Sequence, residues 1–187
     1  MRKTLQLGEK TVQFASHGAT AIFYRKEFGA DFFADAIKLA KNMESFGTDG
    51  SLDLKTISYE QIEAIDLTLI YRLAYIFAMS ANKDIEPYIE WLSSLDEFPL
   101  SEVTPLVFDL MFTLLERKKA ENERNASEEP LDIDFYIYMV KQIGLSFDEL
   151  ELMTVGSVID YAHTYVEEQN PESQNVRNAT QADFDSF

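Results

Sequence analysis

The sequence predicts a mainly α-helical fold: an N-terminal β-hairpin packed on a helical bundle, followed by a small helical C-terminal module. Strand-like alternation of polar and apolar side chains is confined to residues 4–14. Beyond them, apolar residues recur at the three- and four-residue spacing of helices. Apolar residues make up 46% of the 187 residues and aromatic residues 13%, which is enough to form a core.

The first element is predicted to be a hairpin because two alternating runs flank a short loop. The polar members of these runs are Thr4, Gln6, Thr11 and Gln13, and the apolar members are Leu5, Leu7, Val12 and Phe14. Gly8 and Glu9 lie between the runs, and a two-residue loop with glycine first is typical of a hairpin. An isolated hairpin is marginal in water, so we expect the helices to cover its apolar face.

Two helices are predicted after the hairpin. Thr20 is a candidate cap for a helix over residues 21–28, and Gly29 follows as a helix stop. Asp31 is a plausible cap for the next helix, over residues 32–46. Glycines then interrupt the chain between positions 47 and 50.

The centre of the core is predicted to be the apolar run 67–79. A capping-box pattern at 58–61 precedes it, and the run is apolar almost all round. It is shorter than the roughly 20 residues of a membrane-spanning helix and contains Arg72, so we interpret it as a buried core helix. Asp66 and Arg72 are charged residues in an apolar helix, and we expect each to contact another element.

Prolines predict the starts of two further helices. Pro87 fits the first turn of a short helix that carries Trp91, and Pro105 fits the first turn of a longer helix after Thr104. The longer helix is expected to bury the stripe Val107, Leu110, Met111 and Leu114.

A charged segment divides the chain into two unequal parts. Residues 118–130 contain no large apolar side chain, which predicts a charged, solvated linker, with a long exposed helix tail as the alternative. The linker would join a hairpin-plus-helical core domain, residues 1–117, to a small helical C-terminal module, residues 131–169. Residues 170–187 are polar and acidic and predict a disordered tail. Two aromatic residues, Phe184 and Phe187, lie near its end.

The C-terminal module carries strong local helix signals. An apolar stripe ends at Gly144, and a capping box at 146–149 is flanked by Leu145 and Leu150. Thr154 is a candidate cap for the last helix. A module this short needs additional stabilisation, which docking on a partner or on the first part of the chain would supply.

The charge of the chain disfavours nucleic acid and membrane partners. It contains 33 acidic and 16 basic side chains, a formal charge of −17, which repels phosphate backbones and anionic lipid surfaces. No cysteine is present, so the chain has neither disulfides nor thiolate metal ligands, in keeping with a reducing cytosol. The basic first residues are followed by alternating polar and apolar residues, so we expect no secretory signal.

No motif predicts catalysis, a cofactor or a metal. His17 and His163 lack metal-ligand spacing, and residues 45–56 lack two anionic ligands of a calcium loop. Phosphate loops and nucleophile motifs are absent, and the carboxylates fall mainly at helix starts, solvent faces and the linker. We therefore expect a protein that binds other proteins, without enzymatic activity. The candidate contact residues are Trp91, Phe147, Leu150, Phe184 and Phe187.

Several segments, taken in order, resemble one protein family. Residues 24–32 (YRKEFGADF), 73–78 (LAYIFA) and 89–92 (IEWL), after an N-terminal hairpin, resemble the tail assembly chaperones of long-tailed, non-contractile (siphovirus-type) bacteriophages and prophages. Residues 144–150 (GLSFDEL) and 153–156 (MTVG) are similar to the C-terminal extension of that family, as are residues 179–185 (ATQADFD).

The resemblance implies a non-catalytic helper in the host bacterial cytoplasm, absent from the mature virion. It would coat the tape-measure protein and recruit the major tail-tube protein, and self-association stays open. In many members a ribosomal frameshift adds the extension, and the corresponding join would fall at residues 117–119. Two other classes stay open: a minor virion structural protein, such as a tail-completion or connector protein, and a host-binding regulatory adaptor.

Overall fold

The computed structural model describes residues 1–44, 66–116 and 131–169. In these residues an antiparallel hairpin is followed by helices, which confirms the predicted fold class. The strands are β1 (Arg2–Leu7) and β2 (Lys10–Ala15), and the helices are α1 (Thr20–Phe28), α2 (Phe32–Glu44), α3 (Leu67–Ala81), α4 (Tyr88–Ser93), α5 (Leu100–Leu115), α6 (Ile133–Ile143), α7 (Phe147–Leu152) and α8 (Val155–Gln169).

The hairpin has the predicted two-residue loop. Leu7 pairs with Lys10, so Gly8 and the following glutamate form the turn, and Gly8 has a φ of +59°. A Cβ at Gly8 would also lie 3.1 Å from the Cβ of Asp96, so a larger residue would crowd the segment before α5. Strand β2 packs on α3, and Phe14 is fully buried there. The helices thus cover the apolar face of the hairpin.

Helix α1 has the predicted ends but not the predicted cap. Its last residue precedes Gly29, which adopts the left-handed conformation with φ +64°. The Thr20 hydroxyl does not cap the helix; it accepts a hydrogen bond from His17 N at 3.1 Å and lies 3.0 Å from the Ser80 hydroxyl. The cap prediction was wrong because Thr20 is buried against α3, where its hydroxyl finds other partners.

Asp31 joins two elements of the fold, α2 and α6. Its Oδ1 accepts hydrogen bonds from the backbone N–H groups of Phe33 at 2.8 Å and Ala34 at 3.1 Å, which confirms the predicted cap of α2. Its Oδ2 accepts a hydrogen bond from Ile133 N at 2.9 Å, at the start of α6. One carboxylate therefore caps α2 and ties the C-terminal helices to it.

Helix α3 lies in the centre of the core, as predicted. Most of its residues are buried, including Leu73, Ala74 and Ile76, which are fully inaccessible. Its charged residues each contact another helix, again as predicted. Lys38 Nζ of α2 donates a hydrogen bond to Asp66 Oδ2 at 2.8 Å, and the Arg72 guanidinium lies 5.3 Å from the centre of the Phe28 ring in α1.

Helix α5 begins earlier than predicted. Pro99 is its N-cap, and the Pro99 carbonyl accepts a hydrogen bond from Val103 N at 2.9 Å. Pro105 lies inside the helix and not at its first turn, so the predicted start after Thr104 was wrong. A proline just past the first turn removes a single backbone hydrogen bond, and packing of the inner stripe outweighs that loss. All four residues of the predicted stripe are buried.

The C-terminal helices dock on the first part of the chain. Tyr136 of α6 is fully buried, and its hydroxyl donates to the Gly18 carbonyl at 3.0 Å. Gly18 N in turn donates to the Met153 carbonyl, between α7 and α8, at 2.6 Å. Buried residues of both parts belong to one hydrophobic cluster, so the described C-terminal helices obtain their support within the same chain.

Local signals of the C-terminal helices are confirmed. Gly144 ends α6 with a φ of +75°. Ser146 and Glu149 form the reciprocal capping box of α7, and Thr154 Oγ1 accepts a hydrogen bond from Ser157 N at 3.1 Å at the start of α8.

The predictions for residues 45–56, 58–61, 118–130 and 170–187 lie outside the described residues. Across the described ranges, no helix combines the length and apolar character that crossing a membrane would require.

We expect Asp31→Ala to lower the free energy of unfolding by about 2 kcal/mol, because the change removes the α2 cap and the acceptor for Ile133 N together. Asp132→Ala is the matched control. Asp132 caps α6 through Phe135 N alone, so its loss should cost about 1 kcal/mol. Urea unfolding followed by the fluorescence of Trp91, the single tryptophan, measures both values. Equal losses would mean that Asp31 does not link α2 to α6.

Candidate partner-binding surfaces

The two parts of the chain meet at a buried segment that we call the junction loop, residues 16–19. Ser16, His17 and Ala19 are buried, and Ser16 N donates to the Met1 carbonyl at 3.0 Å, which extends the hairpin pairing. A Cβ added at Gly18 would lie 2.9 Å from the Leu150 carbonyl oxygen, 3.2 Å from the Tyr136 hydroxyl and close to α8. The C-terminal helices therefore pack directly against the bare backbone of Gly18.

His17 has a structural role in the junction loop. Its Nε2 lies 3.3 Å from the Ser80 carbonyl, which can only accept a hydrogen bond, so Nε2 carries the proton. Burial lowers the pKa of His17, although the Ser80 carbonyl and the charge of Glu151 act in the opposite direction. The imidazole is thus neutral in the folded chain. Among the described residues, no group of three or more potential ligands is placed to hold a metal ion.

Tyr136 contributes another buried polar side chain to the junction. Burial raises the pKa of Tyr136, so its hydroxyl keeps the proton that it donates to Gly18. The ring of Tyr136 also packs edge-on against Phe33 of α2, with 5.7 Å between ring centres. The polar groups of the junction therefore hold the fold together.

The contact residues that were predicted from the sequence, and that the structure describes, have different surroundings. Trp91 and Leu150 are core residues, with 4% and 1% of their surfaces exposed, so neither offers much area to a partner in this conformation. Trp91 does form part of the wall of a cleft of about 440 Å³ between β2 and the end of α3. Phe147 is 53% exposed and stacks on Phe23 of α1 with 6.4 Å between ring centres. Phe184 and Phe187 lie outside the described residues.

Sequence reasoning missed an apolar surface on α5. Phe108 and Phe112 each lie two residues from the buried Leu110 and therefore point to the other side of the helix. Their ring centres are 6.0 Å apart, and Phe112 is 58% exposed. Pro105 and Leu115 share this side of the helix. We call these four residues the α5 outer face. The sequence signal that could have revealed it is the presence of apolar residues on two opposite sides of α5.

Helix α6 exposes a second aromatic pair. Phe135 and Tyr138 are 56% and 59% exposed, and they lie three residues apart on the solvent side of the helix. The buried residues Tyr136 and Val140 occupy the opposite side. This α6 outer face, Phe135 and Tyr138, was also missed, because only the inner stripe of the helix was considered.

Four ion pairs link different elements of the described chain. They are Lys3 with Asp109, Arg25 with Asp134, Lys38 with Asp66, and Lys83 with Glu151. The hydrogen bond from Lys38 lowers the pKa of Asp66. Since acidic side chains outnumber basic ones by 33 to 16 in the whole chain, much of the acidic charge has no cationic partner of its own.

Comparison of the chain with protein-family models, with curated proteins and with solved structures finds no match. Arguments about function therefore depend on the residues and surfaces of this chain itself.

We expect Gly18→Ala to lower the free energy of unfolding by about 1–3 kcal/mol, because the new methyl group would overlap the Leu150 carbonyl and force α7 away. It should also make the C-terminal helices easier to cleave in limited proteolysis. Gly144→Ala is the comparison variant. It meets no atom within 4 Å and disturbs only its own left-handed backbone, so α6–α8 should stay docked. Equal cleavage of both variants would contradict the close approach at Gly18.

We also expect the free energy of unfolding to fall as the pH falls below about 6.5. Below that pH, His17 of the unfolded chain binds a proton that His17 of the folded chain does not. The contribution of His17 to the free energy of unfolding is therefore fully present above the unfolded pKa and is lost as the pH falls toward the lowered folded pKa. Thermal unfolding between pH 7.5 and pH 5.5 tests this dependence. His17→Gln should flatten it relative to the parent chain. An identical pH dependence with and without His17 would exclude this origin.

Proposed function

We propose that this chain is a tail assembly chaperone of a long-tailed, non-contractile bacteriophage or prophage. In this role it is a non-catalytic protein of the host bacterial cytoplasm that binds the tape-measure protein, recruits tail-tube subunits and is absent from the mature virion. The observation that carries the proposal is the set of exposed rings on an acidic helical protein. They are Phe112, Phe135, Tyr138 and Phe147, each more than half exposed.

These surfaces suit a helical partner. A tape-measure protein is a long helical chain with apolar stripes, and such stripes aggregate unless they are covered. Aromatic side chains supply large contact areas at low entropic cost, and helices commonly recognise one another through apolar faces. The charge of −17 would keep the complex dispersed while the apolar faces are in contact.

The described polar residues support a binding role over a catalytic one. His17, Thr20 and Ser80 are buried and contact one another, and their hydrogen bonds join the junction loop to α3. Tyr136 is committed to Gly18 in the same way. Apart from His17 Nδ1, their polar side-chain groups are therefore occupied in holding the fold, whereas the exposed apolar side chains contribute little to its core.

We expect co-expression with the tape-measure protein of the same genome to give a soluble complex that copurifies through size-exclusion chromatography. The tape-measure protein alone, or with an unrelated acidic helical protein of similar size, should be largely insoluble. Tape-measure protein that stays insoluble in the presence of this chain would contradict the proposal. Detection of the chain in purified virions by mass spectrometry would favour a tail-completion or connector protein, and its capture of a defined protein from uninfected cells would favour a host-binding adaptor.

A further inference from the structure

Helix α5 carries apolar residues on two opposite sides; on the outer side, Phe108 and Leu115 are partly buried against the core. Its inner side, with Val103, Val107, Leu110 and Leu114, is completely buried. The α5 outer face lies on the other side, and its most exposed ring is Phe112. An apolar residue that lies in solvent contributes little to the stability of the isolated chain, so this second side needs another explanation.

An acidic row borders the α5 outer face. Glu102, Asp109 and Glu116 follow one another at intervals of seven residues, which places them along one side of the helix. Glu102 and Glu116 are exposed, and Asp109 is partly exposed. Asp109 pairs with Lys3 of β1, and none of the four ion pairs in the described residues involves the two glutamates. Within the described residues, the two ends of the row therefore have no ion-pair partner.

The charge pattern argues against a second copy of the same face as the occupant. Residues 100–116 contain no lysine or arginine. Two such faces packed together would place apolar rings in contact, and neither α5 helix would offer a cation to the acidic row of the other. In an antiparallel, two-fold arrangement the acidic borders would meet on the same side, and like charges at an interface are costly.

We propose that the α5 outer face binds an amphipathic helix whose apolar stripe is flanked by lysine or arginine. The stripe would pack on Phe108 and Phe112, and the flanking cations would pair with Glu102 and Glu116. The inference rests on the proposed function only for the origin of that helix, which would belong to the tape-measure protein. The chemistry of recognition follows from α5 alone.

Single substitutions at matched positions test the apolar contact. Phe112→Ser removes the most exposed ring of the α5 outer face, and Phe135→Ser removes a ring of nearly equal exposure from α6. Neither ring is part of the buried core, so both variants should keep the helical content and unfolding temperature of the parent chain. Circular dichroism verifies this before binding is measured.

Paired charge reversals test the acidic row. Glu102→Lys with Glu116→Lys reverses both ends of the row. Glu167→Lys with Glu168→Lys, at exposed positions of α8, changes the net charge of the chain by the same amount. A difference between the two double variants reports the position of the charges, because their total charge is equal.

The probe is a fluorescently labelled helical peptide with a leucine stripe flanked by lysines, and its binding to the full chain is measured by fluorescence anisotropy. We expect Phe112→Ser to weaken binding about tenfold and Phe135→Ser less than about twofold. The α5 reversal should weaken binding several-fold more than the α8 reversal, with a smaller difference at high salt. A peptide with glutamates in place of the lysines should bind at least about tenfold more weakly.

Equal effects of the matched variants, or no binding of the basic peptide to the parent chain, would overturn the inference.

Co-expression with the tape-measure protein distinguishes a failure of the proposed docking face from a failure of the proposed function. If the parent chain and the Phe112→Ser variant keep that protein soluble equally well, the docking face is wrong and the chaperone function stands. If the parent chain fails to do so while the peptide results hold, the chaperone function is wrong and the docking face stands.

Discussion

The close approach of the C-terminal helices to Gly18 is the constraint on which the described fold depends. Gly18 donates its N–H to Met153, accepts a hydrogen bond from Tyr136 and leaves no room for a side chain beneath Leu150. Both backbone groups would lose these hydrogen bonds if α6–α8 moved away. The bond from Ile133 N to Asp31 fixes the start of α6 at a second point, so the docked orientation follows from backbone hydrogen bonds as well as apolar contact.

The same junction explains why a buried histidine is tolerated there. His17 packs edge-on against Phe23 and reaches the Ser80 carbonyl, so its ring connects α1 to the end of α3. Among the described residues, its Nδ1 has no hydrogen-bond partner, which a neutral ring tolerates far better than an imidazolium would. The ion pair of Lys83 and Glu151 links the end of α3 to α7, and its two charges act in opposite directions on the pKa of His17.

Sequence reasoning succeeded where a signal depends on neighbouring residues. The loop at Gly8, the stop at Gly144 and the capping box of Ser146 and Glu149 are all local, and all are present. It failed where a distant element decides the outcome. The Thr20 hydroxyl is drawn to Ser80, sixty residues away, and core packing carries α5 through Pro105. A sequence also does not show that Trp91 and Leu150 lie almost entirely within the core.

The surfaces of α5 and α6 show the converse limit of sequence reasoning. A search for periodicity assigns an apolar helix one buried side and accepts further apolar residues as part of a wide stripe. Only the packing shows that Leu110 is fully buried while Phe112 is more than half exposed. Exposed rings next to acidic residues are poor choices for solubility and are unnecessary for a core that the inner stripes already fill. Their presence on two helices motivates the proposed contacts with other proteins, and the acidic border of α5 motivates the proposal of a cationic partner helix.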